Sequence, residues 1–151
     1  MTNYGGQCRC GRVRFKVSGP PLLTSACHCT ECQRMTAGPF SLSALYREDR
    51  FQLSSGDVAV GRCNSAGQHY FCEACFSWVY TRPGGLEGMV NIRTPMLEDA
   101  AAFPPFAEFF TQEILPGMTS GAPLSFKTAP SSAVEFLKLT DAYEQWDQRP
   151  A

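Results

Sequence analysis

The sequence of 151 residues has almost no net charge, because 13 lysine and arginine side chains nearly balance 14 aspartate and glutamate side chains. A near-neutral chain gives no electrostatic reason to expect nucleic acid or an acidic membrane as a partner. No apolar run approaches the roughly 18 residues that a membrane-spanning helix needs. No apolar core follows the first residues, Met1 to Gly5, so we expect no secretory signal peptide. These absences predict a soluble, cytoplasmic protein without a nucleic-acid or membrane partner.

Size and composition predict one domain that spans residues 1–151. A chain of this length is typical of single domains and has enough residues for a real core. Its hydrophobic fraction of 44% is ordinary for a globular protein. The sequence contains no internal repeat beyond its recurring cysteine pairs.

Cysteine, in contrast, is abundant, and seven of the eight cysteines fall into three short clusters. The clusters are Cys8 with Cys10, Cys27 with Cys29 and Cys32, and Cys72 with Cys75. Alternate residues of a strand share one face, so the first two sulfurs can converge without a turn. Two intervening residues, as in the last cluster, are the spacing of a zinc knuckle. A structural zinc takes four protein ligands and a reactive zinc takes three, so seven clustered thiols suggest one closed and one open zinc.

Two other uses of the cysteines stay open at this point. The even number of eight permits disulfides, but without a secretory signal we expect a reducing compartment in which thiols stay free. Cys63 stands apart from the clusters and could be the eighth ligand of two closed structural zincs. We expect instead that Cys63 is a buried or idle free thiol.

Short strands dominate the pattern of the chain. From Arg12 to Val17 polar and apolar residues alternate strictly, which is the period of a half-buried strand. Further strands are predicted at residues 22–26, 40–46, 51–53, 58–62, 69–71, 77–80, 89–93 and 107–114. Regular short strands separated by Gly, Pro, Ser and Asp predict a mainly β fold.

A helix is predicted near the end of the chain. The segment from Ser132 to Glu135 fits a capping box, and Val134, Phe136 and Leu137 would provide the apolar contacts of the helix. The polar tail that follows carries Tyr143 and Trp146, which we expect to dock on the rest of the chain.

Three segments resemble the glutathione-dependent formaldehyde-activating enzyme family: residues 6–15 (GQCRCGRVRF), 27–34 (CHCTECQR) and 71–75 (FCEAC). The linking segments 38–40 (GPF), 51–56 (FQLSSG) and 107–111 (AEFFT) resemble that family as well. The resemblance covers about residues 5–120 and leaves 121–151 as a C-terminal extension with a short helix.

The resemblance implies a fold, two metal sites and an activity. The family's fold is a β-tent of short antiparallel strands pinned by zinc, here with one or two short helices. By the same resemblance, Cys8, Cys10, Cys72 and Cys75 hold a closed structural zinc, and Cys27, Cys29 and Cys32 hold a second zinc with an open position. The implied activity is condensation of glutathione with formaldehyde to S-hydroxymethylglutathione, a carbon–sulfur lyase reaction run in reverse. The alternative is a non-catalytic binding module stabilised by zinc.

Four further residues carry specific expectations. Gln33 and Arg34 lie just past the middle cluster and are the candidates for substrate binding. His28 is expected to hydrogen-bond behind the site rather than to carry protons. Phe76 stands where most family members have Gly, and we expect it to resist the positive φ that this position permits.

Overall fold

The computed structural model describes residues 1–61 and 67–151, so Cys63 lies outside the described residues. The described chain is mainly β, as the sequence predicts, with α1 (Thr30–Thr36) and α2 (Ala133–Glu144) as its α-helices. The strands are β1 (Asn3–Gln7), β2 (Arg14–Ser18), β3 (Leu23–Cys27), β4 (Ser41–Arg47), β5 (Phe51–Ser55), β6 (Val58–Gly61), β7 (Gly67–Cys72), β8 (Trp78–Pro83), β9 (Met89–Arg93), β10 (Ala107–Phe109) and β11 (Leu124–Ser125).

The described strands form two sheets. The smaller sheet has the order β1-β2-β5, and the larger has the order β11-β10-β3-β4-β9-β8-β7-β6. Pairing is antiparallel except that β10 runs parallel to both β3 and β11. The cysteine clusters lie where strands of these sheets end, because β3 ends at Cys27 and β7 ends at Cys72.

The core forms where the alternation of β2 predicts it. Val13, Phe15 and Val17 are buried, whereas Arg14 and Lys16 face solvent. The buried side chains pack with residues of β4, β7, β8 and β9 in one cluster that also includes two of the cysteines. The first and third cysteine clusters are therefore attached to the main core.

Three of the observed strands and α-helices were not foreseen, and one strand is shorter than predicted. The missed strands are β1, which pairs with β2, and β11, which pairs with β10. The missed helix is α1, which begins inside the middle cysteine cluster. The predicted strand 107–114 ends at Phe109. Phe110 turns the backbone with a left-handed φ of 57°, and the segment Thr111–Glu113 forms a 3₁₀ helix.

The capping box of α2 is confirmed in part. The Ser132 hydroxyl accepts the Glu135 N–H at 3.2 Å, as predicted. The Glu135 carboxylate, however, accepts the N–H of Ser131 at 2.7 Å, one residue before the expected position.

The predicted apolar face of α2 is wrong for two residues. Val134 and Leu137 are 61% and 59% exposed, and the buried face consists of Leu139 and Tyr143 with Phe136 beside them. These residues lie three and four positions apart, which is the spacing of one helix face. The tail docks as expected, since the rings of Tyr143 and Trp146 lie 5.4 and 5.1 Å from the ring of Phe106.

Candidate metal centres

The first and third cysteine clusters meet in one site, which we call the tetrad: Cys8, Cys10, Cys72 and Cys75. Their sulfurs all lie within 4.8 Å of one another. The Sγ atom of Cys10 is 3.5 Å from that of Cys8 and 3.8 Å from that of Cys72. A tetrahedron with metal–sulfur bonds of about 2.3 Å has sulfur–sulfur edges of about 3.8 Å. The tetrad therefore has the dimensions of a closed zinc site.

The first two sulfurs of the tetrad converge differently from the prediction. Strand β1 ends before Cys8, and a turn closed by the Gly11 N–H on the Cys8 carbonyl at 2.9 Å brings Cys10 back. A strand would have placed both side chains on one face. The observed turn also brings the two sulfurs together, and it lets the buried Cys8 sulfur accept the Val13 N–H at 3.3 Å. A backbone donor of this kind stabilises a thiolate.

The last ligand of the tetrad has an ionisable sulfur. The hydroxyl of Ser77 lies 3.2 Å from the Cys75 sulfur. This hydrogen bond, with backbone donors, lowers the pKa of Cys75 to about 5. Because the thiolate is the form that binds metal, Cys75 is prepared to act as a ligand at neutral pH.

The middle cluster forms a second site, which we call the trio: Cys27, Cys29 and Cys32. Cys27 ends β3, Cys29 is the N-cap of α1, and Cys32 lies in the first turn of that helix. The three sulfurs lie within 4.8 Å of one another, and no further Cys, His, Asp or Glu of the described residues completes this group. The Cys29 sulfur accepts the Cys32 N–H at 3.4 Å, so helix capping fixes the geometry of the site.

The three thiols of the trio compete for protons. Hydrogen bonds from the thiols of Cys27 and Cys29 lower the pKa of Cys32 to about 3, although burial opposes its ionisation. The same contacts raise the pKa of Cys27 far above its ordinary value. A single thiolate is thus stabilised by its neighbours' protons, and all three sulfurs can be thiolates only if a cation replaces those protons.

Comparison with known proteins identifies the family. The family model described as glutathione-dependent formaldehyde-activating enzyme matches residues 3–113, which is most of the chain and includes both cysteine sites. The chain belongs to this family. Helix α2 lies outside the matched residues.

Two relatives give the extent of the likeness. A Halomonas elongata protein, named provisionally as a glutathione-dependent formaldehyde-activating enzyme, is 27% identical over 85 residues. That alignment covers 50% of this chain and 54% of the relative, so the chain matches about half of the relative's length. The crystal structure of a Rhodobacter sphaeroides protein matches with a TM-score of 0.53 and 19% identity, over 63% of this chain and 88% of that protein. This second likeness is one of fold alone.

His28 lies behind the trio, as the sequence interpretation favours. The side chain is fully buried, and its Nε2 atom is 2.9 Å from Oε2 of Glu108. Burial opposes the ionisation of Glu108, but hydrogen bonds from Ser120, Ser125 and His28 hold its pKa at about 2. An ionised carboxylate can only accept, so Nε2 of the imidazole carries the donated proton. Glu108 thereby fixes the orientation of a residue that stands between two cysteines of the trio.

Arg93 is the functional candidate that the sequence analysis missed. It ends β9, is 5% exposed, and places its guanidinium carbon 4.0 Å from the centre of the Trp78 ring. Burial lowers the pKa of Arg93 to about 10, while the trio's sulfurs favour its charged form. A buried positive charge therefore stands beside three thiols. The only sequence signal was a charged residue at the end of an apolar strand.

The two residues predicted to bind substrate occupy different environments in α1. The Gln33 amide donates to the carbonyls of His28 and Glu113 at 2.6 and 2.9 Å, so it joins the helix to the neighbouring chain. Arg34 is exposed in the last turn. Their role in substrate binding stays a prediction.

Phe76 does not resist the left-handed conformation. Its φ is 56°, and its N–H donates to the Cys72 carbonyl at 2.9 Å, so the knuckle closes with phenylalanine at this position. The side chain is 75% exposed. The hydrogen-bonded turn therefore holds Phe76 in the left-handed conformation, and burial of the ring does not stabilise it.

In residues 1–61 and 67–151, no helix is long and apolar enough to cross a membrane.

Proposed function

We propose that this protein is a zinc-dependent enzyme that joins a thiol to an aldehyde, with glutathione and formaldehyde as the reactants and S-hydroxymethylglutathione as the product. Membership of the glutathione-dependent formaldehyde-activating enzyme family supports this proposal. In the reverse direction the same enzyme is a carbon–sulfur lyase. Because seven thiols must stay reduced to bind metal, we place the protein in the cytoplasm.

One observation carries the proposal: the tetrad offers four sulfurs, whereas the trio offers three. Four protein donors close a zinc site, and three leave one position for a reactant. We therefore assign a structural zinc to Cys8, Cys10, Cys72 and Cys75, and a second zinc with an open position to Cys27, Cys29 and Cys32.

The reaction needs a thiolate beside a carbonyl carbon. The thiol loses its proton, the carbon–sulfur bond forms, and the electron pair of the C=O π bond moves to oxygen, which takes up a proton. A zinc ion in the trio would lower the pKa of the incoming thiol or polarise the aldehyde oxygen.

The surrounding residues suit that chemistry. Three thiolates make the trio anionic, and the buried guanidinium of Arg93 offsets part of this charge. The His28–Glu108 pair holds the segment between Cys27 and Cys29 in place. A fixed arrangement of both reactants also removes much of the entropic cost of a two-body reaction.

Calorimetric titration of the zinc-loaded protein with glutathione tests the proposal. We expect saturable binding that is lost in Cys29→Ser, followed by formation of the hemithioacetal when formaldehyde is added. Cys72→Ser is the comparison variant. We expect it to lose the fold, whereas Cys29→Ser should lose glutathione binding and stay folded. Folded, zinc-loaded protein that does not bind glutathione would contradict the proposal and favour the non-catalytic binding module.

A further inference from the structure

Helix α1, which carries Cys32 of the trio, is not held by apolar packing. The structure describes all seven of its residues, and none of them is buried. A helix of this length is unstable by itself in water, because too few backbone hydrogen bonds offset the cost of its nucleation. Other contacts therefore fix α1 and, with it, the distances between the sulfurs of the trio.

The first of these contacts is a carboxylate at the start of the helix. Oε2 of Glu113 accepts the N–H and the hydroxyl of Thr30, both at 2.7 Å. Thr30 is the first residue of α1, and the N–H groups of a first turn have no partner within their own helix. A negative charge at this end also interacts favourably with the helix dipole. Glu113 therefore anchors α1 at the residue that follows Cys29.

The second contact is made by the side chain of Gln33. Its amide nitrogen donates to the His28 carbonyl at 2.6 Å and to the Glu113 carbonyl at 2.9 Å. An amide nitrogen carries two hydrogens, so both donors of this side chain are used. Gln33 thereby joins the backbone between Cys27 and Cys29 to the position that follows Cys32.

The partners of the trio's loop lie in one segment, residues 108–113, which we call the brace. Besides the contacts of Glu113, the His28 N–H donates to the Phe109 carbonyl at 2.9 Å, and the His28 imidazole pairs with Glu108. The paired residues are 80 to 83 positions apart in sequence. None of these hydrogen bonds uses a sulfur atom, so they can form whether or not the trio binds a metal ion.

We propose that Glu113 and Gln33 are positioning residues that hold the trio in its ligand geometry before a metal ion binds. The inference rests on the proposed function only in taking the trio as a metal site. Ligands that are already held in place lose less conformational freedom on binding, so the brace raises the metal affinity of the trio. It follows that α1 stays ordered when the trio is empty.

Competition with a coloured chelator measures the zinc affinities, and loss of one of them in Cys29→Ser identifies the trio. Glu113→Ala should weaken zinc binding at the trio about tenfold and leave the tetrad unchanged. Glu113→Gln keeps an oxygen that can accept from Thr30, so its effect should be smaller. Gln33→Glu replaces both donors with an acceptor that faces two carbonyls, and it should also weaken the trio. The control is Glu31→Gln, which removes a carboxylate of the same helix that takes no part in these hydrogen bonds.

Hydrogen exchange of the α1 amides tests whether the site forms before the metal binds. Cys29→Ser empties the trio but keeps an N-cap, because serine caps helices well. Metal analysis should find one zinc ion per chain in this variant, and mass spectrometry should find the α1 amides as protected as in the unmodified protein. Adding Glu113→Ala to Cys29→Ser should abolish that protection.

Free exchange of the α1 amides in Cys29→Ser would overturn the inference, even if Glu113→Ala does not fold. So would an unchanged zinc affinity of the trio in Glu113→Ala, or an equal loss in Glu31→Gln, which would make the effect one of charge alone. Loss of glutathione binding in Gln33→Glu at unchanged zinc affinity would overturn the positioning role of Gln33 and assign it to the substrate. The expected effects in a protein that does not bind glutathione would retain the inference and refute only the thiol reaction.

Discussion

The imidazole of His28 and the carboxylate of Glu108 lie 2.9 Å apart and connect β3 to β10 behind the trio. The two residues are 80 positions apart in sequence, and both are buried. Because His28 stands between Cys27 and Cys29, the carboxylate controls the backbone that presents two of the three sulfurs. Partners of this kind tune a metal site without touching the metal.

Glu108→Gln should therefore weaken zinc binding at the trio and leave the tetrad unchanged. The substitution keeps the size of the side chain but removes the charge that orients His28, and we expect about a tenfold loss of affinity. Competition with a coloured chelator separates the two zinc affinities. Asp49→Asn, which breaks an exposed ion pair with Arg47, is the control. Unchanged binding at both sites would show that the pair is dispensable for the metal.

The two cysteine sites show what the sequence could predict. Short spacings keep ligands together whatever the fold, so the division into four and three sulfurs followed from the sequence and the resemblance. Arg93 and Glu108 are brought to the trio by strands far apart in the chain, and no local pattern marks them. Helix α2 was predicted because its capping residues are a local signal. Its buried face was not predicted correctly, because that face depends on where Phe106 lies in the fold.

Cys72→Ala should unfold the protein. Cys72 is 1% exposed and ends β7, and the tetrad joins its knuckle to the turn that carries Cys8 and Cys10. A closed zinc site supplies folding free energy directly, so loss of one ligand should abolish cooperative thermal unfolding and reduce bound zinc. Circular dichroism and metal analysis measure both. Cys29→Ser should keep the fold, and a stable, folded Cys72→Ala protein would refute the assignment of the tetrad as structural.

Phe76→Gly should leave stability unchanged or raise it by up to about 1.5 kcal/mol. Relief of the left-handed φ contributes about 1–2 kcal/mol, and the greater freedom of glycine in the unfolded chain costs about 0.5–1 kcal/mol. Urea unfolding of the zinc-loaded proteins measures the difference. A loss of more than about 1 kcal/mol of unfolding free energy would contradict the prediction and show that the Phe76 ring stabilises the fold by packing.

Gly56→Ala should destabilise the protein by about 2 kcal/mol or more. At its φ of 86°, an added Cβ would lie 2.5 Å from the Arg12 carbonyl oxygen and 2.7 Å from Cα of Val13. Both contacts are with backbone that cannot move aside cheaply, and Val13 donates to the Cys8 sulfur. Gly85→Ala is a matched control, because its φ of 76° is similar and nothing lies within 4 Å of the new atom. Thermal unfolding should show a larger loss of stability for Gly56→Ala than for Gly85→Ala. Equal losses would show that the close contacts at Gly56 add nothing to the cost of a left-handed alanine.

Tyr143→Ala should cost about 3–5 kcal/mol of unfolding free energy, the range for removing a buried aromatic side chain. Tyr143 is fully buried and packs edge-on against Phe106, one residue before β10. Because β10 carries Glu108, α2 should also support the trio, and the zinc affinity of the trio should fall in this variant. Urea unfolding and chelator competition measure the two effects. Val134→Ala, on the 61% exposed side of the same helix, should change neither by a measurable amount. A destabilised Tyr143→Ala protein with unchanged zinc affinity would separate the helix from the site.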